Sequence, residues 1–256
     1  MKYKFLFFSI AAFCFTTSSF AQITPPGMGH TQTASWLAFG VKQKLDDKNS
    51  LNAYIGAGRI STPGSLNPFK KHSALVINAE IGHKFSKGWK YGYSLSYRQQ
   101  NKYDDRELYP ASHPSFIREA RLYGKLSHTL EGTVFKYAFT LRQEARAFFT
   151  PDFHAAGEDA QLRTRIKAAA TIPLRDDNSD KLTGTAESLF TLGHEQQAGW
   201  DNYKYSESRF SLYYSHNLKN LPVIIDAGYI NILKGHGNDT SDSSYIAMDI
   251  IVKDIF

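Results

Sequence analysis

The chain has 256 residues, with 30 Lys and Arg against 24 Asp and Glu, and one cysteine, Cys14. So mild a basic excess and a lone cysteine exclude nucleic acid as the expected partner, and with it a disulfide framework, a Cys-based zinc site and an iron–sulfur centre. No apolar run reaches the about 18 residues of a transmembrane helix.

Residues 1–21 read as a secretory leader. Lys2 and Lys4 precede the apolar stretch 5–15, and Ser19-Phe20-Ala21 supplies a small-x-small cleavage site before Gln22. Phe13, directly before Cys14, spoils a lipoprotein site. The mature domain, residues 22–256, loses Lys2, Lys4 and Cys14 with the 21 leader residues. It therefore keeps 235 residues, 28 basic and 24 acidic side chains, a net charge of +4 and no cysteine. A Cys nucleophile is excluded as well.

From there on, the sequence alternates with a period of two. In residues 89–98 (WKYGYSLSYR), Trp89, Tyr91, Tyr93, Leu95 and Tyr97 fall on one face of a strand, and Lys90, Gly92, Ser94, Ser96 and Arg98 on the other. Residues 134–148, 161–172, 205–215 and 245–256 repeat the pattern, with Gln143 and Thr164 interrupting the apolar face. Eleven such segments are centred near residues 40, 55, 79, 94, 121, 141, 166, 187, 210, 228 and 250. Tight turns at Asp46-Asp47-Lys48-Asn49, Ser86-Lys87-Gly88, Leu130-Glu131-Gly132 and residues 217–220, with a somewhat longer one at 175–181, alternate with longer loops at 61–72, 101–113, 150–158, 193–204 and 234–243.

Short turns at one end and long loops at the other predict an all-β, antiparallel transmembrane β-barrel of the bacterial outer membrane. A soluble sandwich shares the alternation, but not the aromatic richness expected at a lipid–water boundary. The terminal Phe256, on the apolar face of the last strand, is similar to the signal read by the barrel assembly machinery. Single-chain bacterial barrels have even strand numbers. The expectation is therefore 10–12 strands, with twelve preferred, and residues 22–33 either adding a strand or plugging the lumen. Pro25, Pro26 and Gly27 argue against an ordinary strand there.

A set of motifs then becomes recognisable. Trp36-Leu37-Ala38-Phe39 opens the first strand, followed by Arg118-Glu119-Ala120-Arg121-Leu122-Tyr123, Leu141-Arg142-Gln143-Glu144-Ala145-Arg146 and Gln161-Leu162-Arg163-Thr164-Arg165-Ile166. Ile172-Pro173-Leu174, Ala186-Glu187-Ser188-Leu189-Phe190, Ser208-Arg209-Phe210 and Ala227-Gly228-Tyr229 complete the order. Across the mature chain this resembles a family of Gram-negative outer-membrane β-barrels catalogued as domain of unknown function 2490. The resemblance implies a barrel and a location, and no activity.

The candidate site is a charged stripe on one strand face: Glu119 and Arg121; Arg142, Glu144 and Arg146; Arg163, Arg165 and Lys167; and Glu187, Glu207 and Arg209. Such residues on antiparallel neighbours stand within pairing distance and are expected to fill the lumen as salt bridges. An accessory role with a protein partner in the outer membrane follows, with membrane lipid around the wall. The alternative is a narrow anion passage lined by Arg121, Arg142, Arg146, Arg163 and Arg165. A lipid hydrolase is weaker, because Ser215 and His216 are adjacent on a strand and point to opposite faces, and His83 and His128 suit the interface. The loop containing Asn238, Asp239 and Asp242 has calcium-compatible oxygens but reads as an ordinary turn, and residues 103–107 as a solvated surface. No cofactor or metal is expected.

Overall fold

The computed structural model describes residues 23, 25–28, 31–104, 110–235 and 240–255. The leader, Phe256, Asn238 and Asp239, and residues 105–107 lie outside them. The strands are β1 (Thr33–Lys44), β2 (Asn49–Ile60), β3 (Lys71–Ser86), β4 (Trp89–Tyr103), β5 (Ala111–Glu131) and β6 (Lys136–Phe149). Then follow β7 (Ala155–Pro173), β8 (Asp180–Glu195), the two-residue β9 (Gly199–Trp200), β10 (Lys204–Asn217), β11 (Val223–Lys234) and β12 (Ser241–Lys253).

Every sequential pair is antiparallel, with β8 pairing directly to β10 while β9 flanks the end of β8. The ring closes between β1 and β12, which run parallel from Thr33 opposite Ser244 to Lys42 opposite Lys253. The barrel is thus a closed, mixed, eleven-stranded one. Eleven lies within the expected 10–12 strands; the preference for twelve, and a purely antiparallel sheet, are corrected. With eleven strands the first and last must run the same way, so only a parallel ladder can close the ring.

The segment before β1 explains why an odd number is tolerated. It is the lumenal plug of the two options, not a twelfth strand. Pro25 and Pro26 have no N–H to offer a ladder, and the carbonyls here bond to lumenal side chains. Arg209 donates to the Pro25 carbonyl at 3.1 Å and Arg98 to the Gly27 carbonyl. The Met28 amide donates to the Tyr245 hydroxyl at 2.9 Å, and Ser73 Oγ donates to the Met28 carbonyl at 3.1 Å. Room is made by missing β-carbons. A Cβ on Gly58 would lie 2.4 Å from Met28 Sδ, and one on Gly40 would lie 3.2 Å from Ile23 Cδ1. Gly40 lies in the body of β1, whereas Thr31 bonds to Ser61 and Ser243 at the long-loop rim. The segment therefore rises through the lumen toward that rim.

The wall is inverted relative to a soluble domain. Tyr93 and Leu95 are 64% and 66% exposed on the outside, while Ser94 and Ser96 between them are 3% exposed, facing in. The same alternation exposes Ile77, Leu122, Leu141, Ile166 and Leu212 and buries Glu119, Arg121, Glu144, Arg163 and Arg165. Gln143 and Thr164, the polar interruptions of the outer face, are register partners and hydrogen-bond at 2.7 Å. Connections at one rim are the short turns. At the other, β5 and β7 extend to 21 and 19 residues and take up part of the expected loops 101–113 and 150–158. Polar composition does not stop a backbone from pairing at the rim.

The interior has two halves. Trp36, Ile60, Tyr213, Ile224, Ile232 and Tyr245 join Ile23 and Met28 in an apolar cluster by the closing seam. The opposite half, on β5 to β8, is charged.

Candidate functional site: the charged lumen

Antiparallel register places inward residues of the same kind side by side. Arg121 stands opposite Arg146, Arg142 opposite Arg165, and Lys125 opposite Arg142. Like charges directly across a ladder repel, so the half-barrel is stable only if carboxylates sit between them. They do. Glu119 accepts from Arg146 Nε and a terminal nitrogen, both at 2.8 Å, and pairs with Arg121 at 2.6 Å and Arg98 at 3.6 Å. Glu144 accepts from Arg163 Nε at 2.7 Å and pairs with Arg142 at 2.6 Å, Arg165 at 3.3 Å and Arg121 at 3.7 Å. Glu187 takes both Nε and a terminal nitrogen of Arg165, at 2.9 and 2.6 Å. These forked contacts suit guanidinium geometry.

Lys167 stands directly across from Glu187 in register. Glu207 and Arg209 form a pair of their own on β10, and Arg209 ties it to the plug through the Pro25 carbonyl. Every charged residue singled out in the sequence therefore faces the lumen; Glu119, Arg121, Arg142, Glu144, Arg146, Arg163, Arg165 and Glu187 form one connected network, with Lys167 and Arg209 across from Glu187 in register on either side. Three contributors were missed. Arg98 is the third cation on Glu119, Glu80 pairs with Lys125 at 2.7 Å, and the Tyr123 ring lies 3.4 Å beneath the Arg142 guanidinium. Their inward parity was the available signal.

Two carboxylates stand apart. Asp226 and Asp249 face each other across β11 and β12, both fully buried in the apolar half, where Trp36 Nε1 donates to Asp249 at 3.1 Å.

Space is unevenly distributed. Between plug and network, beside Arg98, Arg121, Arg163 and Arg209, the void is about 20 Å³, room for roughly one water. Below Arg142 and Arg165 a vestibule of about 610 Å³ extends to residues of the short-turn rim, including Asp177, Asn217 and Lys253.

The hydrolase pair is not assembled. Ser215 is buried in the lumen, whereas His216 Nδ1 contacts Asp180 at 2.6 Å. His83 bonds to Asn49 at 2.7 Å, and His128 stacks on Trp89 with 4.3 Å between ring centroids. Among the described residues, no group of three or more His, Cys, Asp or Glu is arranged to hold a metal.

Comparison with curated proteins returns no match. A solved structure titled "Bacterial polysaccharide outer membrane secretin" is similar at 9% identity with a TM-score of 0.47. The alignment covers 81% of this chain and 65% of that one, so the chain spans less than two thirds of that protein. The family described as "Protein of unknown function (DUF2490)" matches residues 33–242, from the first residue of β1 into β12. With most of its length, and all of its barrel but most of the last strand, accounted for by that match, the chain belongs to the DUF2490 family.

Proposed function

We propose that this protein is an integral outer-membrane β-barrel with a sealed lumen, acting as a structural or accessory subunit of a larger outer-membrane complex and not as an enzyme. One observation carries the reading: the wall is apolar outside and charged inside, the distribution a lipid-embedded barrel needs. In this reading residues 1–21 direct export and are removed, the assembly machinery reads Phe256, and the short turns face the periplasm. A barrel whose lumen is closed to passage has its outer wall and its loops to work with, hence a protein partner.

The test is fractionation followed by mild-detergent extraction of the tagged native protein. The expected result is recovery from the outer membrane with a stoichiometric companion. A clean monomer would contradict the accessory role, and recovery in the soluble periplasmic fraction would contradict the membrane location.

A small-anion passage through Arg121, Arg142, Arg146, Arg163 and Arg165 is the second reading. The cation excess of the vestibule favours it; the plug and the carboxylate on each of those guanidiniums oppose it.

A further inference from the structure

We infer that the vestibule at the short-turn end is a binding site for a small molecule carrying a phosphate group of two or more negative charges. The inference rests on the barrel's interior geometry and is independent of where the barrel resides.

At about 610 Å³ the vestibule falls within the usual range for ligand pockets, about 300–1,000 Å³. Toward the plug it narrows, among the described residues, to the gap of about 20 Å³ beside Arg98, Arg121, Arg163 and Arg209. Five lysines and two arginines line it against four carboxylates. The carboxylates are engaged: Glu80 with Lys125 at 2.7 Å, Glu131 with Lys136 at 2.8 Å, Glu187 with Arg165 at 2.6 Å, and Asp177 with Lys219 at 3.0 Å. That last pairing draws negative charge out of the vestibule toward a lysine that is not part of its lining. Arg142 and Arg165 are likewise paired with Glu144 outside the lining, so the positive excess is carried by the lysines, in a concave space where low-dielectric walls focus the field.

The remaining lining mixes apolar side chains, among them Val134, Phe135 and Ala138, with hydroxyl and carboxamide groups. Ser127 and Thr140 bond to each other at 3.0 Å across β5 and β6, as do Thr171 and Thr183 across β7 and β8. Asn52 Nδ2 is buried at the wall with no hydrogen-bond partner among the described residues. An orphaned buried donor beside surplus cations calls for an acceptor-rich, anionic group. Lysine binds phosphate as a compact, rotatable point charge. Hydroxyls and a carboxamide alongside would hold a polar, hydroxylated remainder of the same molecule.

Calorimetric titration of the purified full-length protein tests this with two probes, inorganic pyrophosphate and a short-chain phosphatidic acid. The comparison protein carries Lys181→Gln and Lys253→Gln, two substitutions at the mouth that leave the inner network intact. Saturable one-to-one binding, weakened about tenfold or more by the double substitution and by added salt, is the expected result. A pyrophosphate response identifies a soluble phosphorylated ligand; a response to the lipid alone identifies a headgroup. A second variant, Asn52→Leu, removes the orphaned donor without changing charge and is expected to weaken binding too. No binding of either probe, or equal binding by wild type and both variants, would overturn the inference.

Discussion

At the scale of single residues, the lumen is organised around a few carboxylates that each separate several guanidiniums. Glu144 is the extreme case, fully buried and in contact with Arg121, Arg142, Arg163 and Arg165. Removing one partner of a buried ion pair leaves uncompensated charge, a cost of about 3–5 kcal/mol. Glu144→Ala is therefore expected to lower the urea midpoint of the folded barrel by a corresponding amount, and Glu144→Gln, which keeps an acceptor, by less. A midpoint unchanged in both would mean that the network is solvated and does not bear on stability. The sequence made the inward parity of these residues legible, since alternation assigns each to a face. It did not make the partners legible, because Arg98 and Glu80 come from strands whose charges are sparse, and pairing depends on register that short-range pattern does not encode.

At the scale of elements, the eleven period-two segments correspond one to one with the strands that form the ring, from β1 around residue 40 to β12 around residue 250. Turn chemistry was equally readable. Asp46 in the β1–β2 turn accepts from the amides of Lys48 and Asn49, both at 2.7 Å, and from Asn49 Nδ2 at 2.6 Å. The Asn49 side chain and then these two amides hold its carboxyl below the usual value of 3.8. A depressed carboxylate stabilises the fold above its unfolded pKa and loses that contribution as pH falls through the folded one. Asp46→Ala is accordingly expected to be less stable than wild type at pH 7, with the gap closing as pH falls below the usual carboxylate value of 3.8. A gap that persists at low pH would show that the carboxylate charge is not what pins the turn. Loop lengths were less legible: β5 and β7 pair well past the apolar belt, and nothing in their polar ends signals where the ladder stops.

At the scale of the whole molecule, the odd strand number and the plug are one feature. A parallel β1–β12 seam requires β1 to start at the long-loop rim, and residues 23 and 25–28 occupy the lumen below it. The sequence could state this as a parity conflict, with plug and extra strand as its two resolutions, but could not choose between them. The choice lies in contacts more than 180 residues apart in the chain, such as Arg209 on Pro25 and Tyr245 on Met28. The apolar half of the lumen was also hidden, because the inward positions of β11, occupied by Ile224, Ile230 and Ile232, look like an outer face until the plug that covers them is in place.

The sealed lumen is the central claim, and single-channel recording in planar bilayers tests it most directly. Wild-type protein is expected to stay electrically silent. A variant lacking residues 23–28, which frees Arg98 and Arg209 from the plug carbonyls, is expected to show discrete openings with anion preference. Steady conductance by the wild type would contradict the account, because the gap of about 20 Å³ beside the arginines would then not be the limit of the pore.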